Sequence, residues 1–206
     1  AEEIKDDNNK VIDTKVPDGN ALVVAFDAEG NTLWSWHLWV TGSDVETTAI
    51  ETSVGTFMDR NLGAYHNSNG SIKIDDIYRS YGLYYQWGRK DPMVSITVDE
   101  TRYGFDTVEE SFAYPMAFGI GEKWAWDFNE NLWSSEQKTM YDPCPPGWMV
   151  AGRDTWNDLG AYGQDDFGLM FSYDDEGNAT KYPFGFYYDS NFNYTNGQDT
   201  FVWTSD

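Results

Sequence analysis

The sequence predicts a β-rich domain with two short helices and long loops. Three observations carry this. Apolar stretches are short and alternate, as half-buried strands do. Asp, Gly and Asn clusters separate them at close intervals. Ten Trp, fourteen Tyr and twelve Phe give an aromatic content of 17%, which suits sheets better than helices. The 206 residues fit one domain with a small appendage, large enough to bury a core without a metal or disulfide staple.

Along the chain, residues 1–20 are polar and charged and end on the turn signal Pro17-Asp18-Gly19. They read as an extension or the end of a preceding domain, and AEEIKDDNNK reads as the start of a mature product or of a fragment. The run 21–27, the turn 27–31 and the run 32–40 make a β-hairpin. Alternation puts Leu33, Ser35, His37 and Trp39 on one face and Trp34, Trp36, Leu38 and Val40 on the other. His37 reads as a packed, hydrogen-bonded residue rather than a ligand. Residues 41–56 cross to the next unit, and 57–66 begin as a strand and break. Leu83, Tyr84, Trp87 and Gly88 fit helical spacing, and Asp91-Pro92 stops them, so a helix is predicted near 78–88. Pro115 argues that 111–120 is an edge or loop. A second helix is predicted at 155–162, with Asp154 as N-cap, Gly163 as stop, and Trp156, Leu159 and Tyr162 buried. Residues 167–188 alternate around the turn 174–178, and 200–205 form a short strand.

Thirteen basic against thirty-five acidic residues leave a net charge of −22, a field that repels nucleic acid and anionic lipid. No apolar run approaches the roughly 18 residues of a membrane span, and no signal-peptide pattern opens the chain. A hydrolase elbow, a P-loop, a dinucleotide fingerprint and a zinc-protease helix are all missing from the sequence. Gly119 to Lys123 has only the first half of a phosphate loop and reads as a turn. Cys144, the single cysteine, sits between prolines with no adjacent cation, which argues against a nucleophile. His37 and His66 are too few for a histidine zinc site. Calcium has candidates by composition only, at 164–166 and 174–178; neither matches an EF-hand, and both read first as Asp/Gly turns. No metal or cofactor is therefore expected. Asn69, Asn178 and Asn193 are glycosylation acceptors in polar loops.

Four blocks carry a resemblance: FMDRNLGA (57–64), GLYYQWGRKDP (82–92), YDPCPPGW (141–148) and TWNDL (155–159), preceded by LWSWHLWVT (33–41). In this order and spacing they resemble the Fibrobacter succinogenes major paralogous domain, found in surface proteins of Bacteroidetes that include fimbrillin-type pilus and adhesin proteins. The likeness spans roughly residues 20–206 and implies an α+β, C-type-lectin-like fold over 21–206. It also implies an extracellular recognition domain, an adhesin or pilus-tip module, with no catalysis. Its partners would be host or bacterial surface glycans or proteins, or other pilus subunits. The alternative is a structural pilin that assembles by strand exchange. Two departures stand out. Met149 and Ala151 replace an Arg and a Pro of the family pattern. The family's last strand also carries a second cysteine, so the resemblance implies that Cys144 is half of a disulfide whose partner lies beyond Asp206 or has been dispensed with.

In that fold the long loops before the last strands meet the ligand, which maps to 187–199. Tyr187, Tyr188, Asn191, Asn193 and Tyr194 supply rigid aromatic contact and adaptable hydrogen bonds. Trp124, Trp126 and Trp133 form a second candidate surface, since indole faces stack on sugars and peptides.

Overall fold

A computed structural model describes residues 2–67, 73–93, 102–119, 131–160, 163–165, 168–172, 179–183, 186–188, 194–196 and 204–205. The fold is α+β, with short strands and short helices. Strands β1 (Glu2–Lys5) and β2 (Val11–Lys15) pair antiparallel. They occupy the stretch read as a polar extension, and the Asp6 carboxylate closes their turn by accepting from the Asn8 and Lys10 amides at 2.9 and 3.0 Å. The expected central hairpin follows as β3 (Gly19–Phe26) and β4 (Thr32–Val40). Its turn is built on Asp27, whose carboxylate accepts from the Glu29 and Asn31 amides and from Asn31 Nδ2 at 2.7–3.0 Å. These bonds, those of Asn31 above all, hold the Asp27 carboxyl below its usual value. A bulge near the turn pairs Ala25 with Trp34 and Phe26 with Thr32, skipping Leu33.

Strands β5 (Ile50–Thr52) and β6 (Gly55–Phe57) form a small hairpin within the crossing segment. Helix α1 spans Ile74–Ser80, with Asp75 and Asp76 in its first turn and Arg79 in its last, each sign favourable to the helix dipole. The helix predicted near 78–88 is thus displaced towards the N-terminus. Gly82 takes φ +79°, and a Cβ there would meet the Leu62 carbonyl oxygen at 2.5 Å, so the chain turns away instead of winding on. Residues 84–93 run as a loop closed by a Tyr84–Met93 bridge. Gly88 also takes positive φ, and a Cβ there would strike Leu132 at 2.6 Å. The aromatic spacing that suggested a helix reflects close packing of an irregular segment.

Strand β7 (Arg102–Tyr103) pairs in parallel with β8 (Phe118–Gly119). Between them lies α2 (Glu110–Ala113), a one-turn helix in a stretch expected to be loop or edge; Pro115 follows it in a turn. Helix α3 spans Arg153–Leu159, two residues earlier than predicted. Gly152 is its N-cap and Gly160 its C-cap at φ +62°, while Asp154 sits inside the first turn. Trp156 and Leu159 are only half-buried, and Tyr162 lies outside the described residues. Beyond α3 come β9 (Gly163–Asp165), β10 (Gly168–Ser172) and β11 (Ala179–Pro183) in a three-stranded antiparallel sheet. The predicted β10–β11 pairing is present, with Ser172 opposite Ala179. Strands β12 (Phe186–Tyr188) and β13 (Tyr194–Asn196) form the last hairpin. Among the described residues the sheets have two or three strands and none closes into a barrel. No described helix is long and apolar enough to cross a membrane.

Phe105, Val108 and Leu132 are buried together, with Trp87, Ala117 and Tyr141 packed on them. Trp156 stands edge-on to Phe57 at 5.2 Å and to Tyr182 at 5.5 Å, which fastens α3 to β6 and β11.

Candidate functional site

The sequence blocks converge on buried charges. In the first, the Arg60 guanidinium forks onto Asp59, Nε to Oδ1 at 2.6 Å and a terminal nitrogen to Oδ2 at 3.0 Å. The side chains are 2% and 5% exposed, too buried for water to satisfy them. The remaining guanidinium hydrogens reach Thr41 Oγ1, Ser43 Oγ, Thr48 Oγ1 and the Tyr65 carbonyl at 2.6–3.2 Å. Asn67 Nδ2 donates to the same Asp59 carboxylate at 2.8 Å. One arginine therefore ties the crossing segment to the turn after β6, and the Tyr182 hydroxyl adds β11 by donating to the Met58 carbonyl at 2.7 Å.

The second block supplies Gln86, Arg89, Lys90 and Asp91. Gln86 exchanges two bonds with the Gly119 backbone, at 2.8 and 3.0 Å. Arg89 donates to the Ser111, Tyr114 and Ala117 carbonyls at the end of α2 and in the turn that follows it. Its guanidinium lies 5.1 Å from the Phe105 ring, and burial brings its pKa down to about 10. Lys90 pairs with Asp91 at 2.8 Å, and both bond to Ser35 in β4. The ammonium also sits 4.5 Å from the Trp34 ring. Burial lowers the Lys90 pKa, and Asp91 works against that shift.

In the third block Asp142 is the organiser. Its carboxylate accepts from Lys138 Nζ at 2.7 Å, the Cys144 amide at 2.8 Å and the Val150 amide at 2.9 Å. Lys138 also donates to the Cys144 carbonyl at 2.7 Å. A cation is therefore near Cys144 after all, contrary to what its sequence neighbours implied. Burial, and then Asp142, still push the thiol well above its ordinary value, because Lys138 offsets only part of them. A thiol in that state is a poor nucleophile at neutral pH.

Trp133 lies in this brace rather than on a binding surface. It is 1% exposed, donates from Nε1 to the Tyr141 carbonyl at 2.8 Å and packs on Trp87 at 5.7 Å. Trp87 in turn donates to the Thr204 carbonyl at 2.8 Å. The expectation that Trp133 faces a ligand is corrected by this packing: neither face of its indole reaches solvent. Trp124 and Trp126 lie outside the described residues. The other candidate maps onto the last hairpin. Tyr187 and Tyr188 belong to β12 and Tyr194 to β13, with Tyr188 opposite Tyr194 and Tyr187 opposite Thr195. Asn191 and Asn193 lie outside the described residues, in the five positions that connect the strands. Of the calcium candidates, Gln164 and Asp165 lie in β9, and Asp166 and 174–178 fall outside the described residues. Among the described residues no group of three or more His, Cys, Asp or Glu is placed to hold a metal ion.

Two features were missed in the sequence. Asp59, Arg60, Arg89, Asp91 and Asp142 are all buried, although charged residues are read by default as surface. The outer face of β3–β4 was missed too. Val23, Trp36 and Leu38 are 44%, 50% and 50% exposed, with Val23 directly opposite Trp36. No protein-family model, curated protein or solved structure matches the chain.

Proposed function

We propose that the chain is a recognition domain of C-type-lectin-like build on a bacterial cell surface. It acts as an adhesin or pilus-tip module and binds a host or bacterial glycan or protein without catalysing a reaction. The observation that carries the reading is how three of the family-like blocks are used: their charged residues are consumed by internal bonds. Blocks spent on bracing leave specificity to the connecting loops, the division of labour expected of a scaffold that presents a variable surface. The buried, protonated Cys144 thiol supports a non-catalytic role. The charge of −22 favours neutral or basic ligands over nucleic acid and anionic lipid.

The binding surface in this reading is 187–199, with Tyr187, Tyr188, Asn191, Asn193 and Tyr194 making the contacts. The test is a glycan and protein array probed with the chain, with and without calcium, followed by the triple variant Tyr188→Ala, Asn191→Ala, Tyr194→Ala. A hit that the triple variant loses, with the melting temperature barely moved, supports the assignment. Unchanged capture by the variant rejects this surface, and an array without a hit counts against the ligand classes printed on it.

A further inference from the structure

Strand β3 has one partner and one open edge. It pairs with β4, and among the described residues its backbone makes no other hydrogen bond. In an antiparallel pair every second residue turns its N–H and C=O away from the partner. One side of β3 is therefore a row of donors and acceptors, beside side chains that are themselves exposed at Ala21, Val23 and Phe26. The far side of β4 is occupied instead. Lys90 Nζ donates to the Ser35 carbonyl at 2.9 Å. Helix α2 meets β4 through Thr32 Oγ1, which donates to the Ala113 carbonyl at 3.1 Å, and through Phe112, whose ring lies 5.2 Å from Trp34.

Open edges template further pairing, so they are ordinarily guarded by charge, proline, a bulge or brevity. The other described strands follow that rule. The sequence of β1 includes Glu3 and Lys5, and that of β2 Asp13 and Lys15. In the three-stranded sheet the uncharged strand, β10, lies between β9 with Asp165 and β11 with Lys181. Strands β12 and β13 are uncharged but only three residues long. Strand β3 has none of these guards. It runs for eight residues, GNALVVAF, without a charge or a proline. The bulge near its turn adds the extra residue, Leu33, to β4 and leaves β3 regular.

We infer that β3 is a homotypic pairing edge: two copies of the chain join β3 to β3 antiparallel about a two-fold axis through Val23, which makes one four-stranded sheet with a β4 at each end. The occupant is a second copy because the strand is its own complement. An axis at Val23 sets the two Val23 residues opposite each other, Leu22 opposite Val24, Ala21 opposite Ala25 and Asn20 opposite Phe26. Side-chain size is matched about the axis, and no charge meets a like charge within 20–26. Val23 already faces Trp36 across the β3–β4 pair, so the outer face gains a continuous apolar row of Trp36, Val23, Val23 and Trp36. Because the far side of each β4 is occupied, the pairing closes at two copies and does not propagate. The charge of −22 on each copy opposes the approach, and Asp18 and Glu29 stand exposed just past the ends of the paired stretch. Salt screens such exposed charges, so it promotes the pairing. The edge does not rest on the recognition reading.

Sedimentation of the full chain at rising protein concentration, in low salt and in about 1 M salt, should show a monomer that gives way to a species of twice its mass, at lower concentration in the high salt. Hydrogen exchange tells edge pairing from stacking of the outer faces. Amides of 19–26 that exchange fast in the dilute chain should become protected as the dimer forms, and those bonded to β4 should be protected in both. Val23→Lys sets two like charges on the axis and should keep the chain monomeric. Val23→Cys should cross-link to itself under mild oxidation, because residues directly opposite have Cβ atoms about 5 Å apart. Ala21→Cys should not, because its two copies lie about 13 Å apart along the strands. The parent, with Cys144 alone, is the control. A chain that stays monomeric at high protein and high salt, a dimer whose β3 amides stay unprotected, or a dimer that Val23→Lys leaves intact would each overturn the pairing. So would cross-linking through Ala21→Cys, or none through Val23→Cys. Sedimentation and exchange of the parent decide the matter even where a variant does not fold.

Discussion

The two faces of the β3–β4 hairpin differ in how they are held: directed polar bonds run through the inner face, and apolar side chains stand in solvent on the outer one. A sheet with one wet side ordinarily turns apolar residues inward and polar ones outward. Here the inner face carries Leu22 and Val24 beside Asn20, Ser35, His37 and Trp39, whose polar atoms bond to Gly63, Asp91, Tyr85 and Ala64. The outer face carries Ala21, Val23, Trp36 and Leu38, all exposed. Inward polar groups are tolerable only when every one is satisfied, because an orphaned buried group costs about 1–3 kcal/mol. The hairpin is thus held in register by directed bonds to partners far along the chain as much as by apolar area. The same logic runs through the braces at Arg60, Arg89 and Asp142. The outer face meanwhile sits on a chain of net charge −22, whose self-repulsion opposes the association that an apolar sheet face invites.

The comparison breaks most easily at Arg60. Arg60→Ala strips a buried carboxylate, Asp59, of the guanidinium that forks onto it. Removing one member of a buried pair costs about 3–5 kcal/mol, so urea unfolding should show a loss of that size. A loss under about 1 kcal/mol, the range of exposed pairs, would mean that the brace is ornamental. Trp133 against Trp36 is the sharper contrast, because the residue type is held constant. Trp133→Ala empties a fully packed site and should cost about 3–5 kcal/mol. Trp36→Ala should cost far less, since half of its side chain is already in water. Equal losses would erase the distinction between the regions.

Next in size comes Asn20→Ala. It removes the donor to the Gly63 carbonyl and the acceptor for His37 Nε2, and should cost about 1–3 kcal/mol. A cost near zero would mean that water replaces the amide and the inner face is wetter than its burial suggests. Cys144 tests the third brace by reactivity. Burial and Asp142 hold the thiol protonated, so its reaction with a disulfide reagent at pH 8 should be slow in the folded chain and rise sharply in denaturant. Fast labelling of the folded chain would contradict the Asp142-centred loop.

How much of this was legible depends on distance along the chain. The hairpin was, because its turn chemistry at Asp27 and its alternation are local. Alternation also separated Ser35, His37 and Trp39 from Trp36 and Leu38, but it misplaced Leu33, which is exposed, and Trp34, which is half-buried against Phe112. Which face is inside was not legible, because that is decided by partners 43, 48 and 56 residues away, at Gly63, Tyr85 and Asp91. Aromatic spacing points to a helix near 78–88, but Gly82 forbids one there and α1 ends at Ser80. The charged residues of 57–64, 82–92 and 141–148 are plain in the sequence, but their role as buried braces is not: a sequence shows that Arg60 and Asp59 are adjacent, not that both lie out of reach of water. Within 187–199, Tyr187 pairs with Thr195 and Tyr188 with Tyr194.

The smallest predicted effect is the most informative about the outer face. Trp36→Ser with Leu38→Ser replaces two apolar groups that are each half in solvent on a strand whose hydrogen bonds and inner contacts are untouched. Exposed positions away from caps, braces and packed sites usually change stability by no more than about 0.5 kcal/mol. Serine fits a strand less well than Trp, which puts the expected change on the unfavourable side of zero. Calorimetry should therefore show a melting temperature within a few degrees of the parent, while sedimentation at high protein and high salt should show less self-association than the parent. High salt matters because it screens the charge repulsion that otherwise masks an apolar contact. A double variant destabilised as much as Trp133→Ala would mean that the outer face is packed in solution. The contrast between the two sides of the hairpin would then have to be redrawn as two cores rather than a core and a surface.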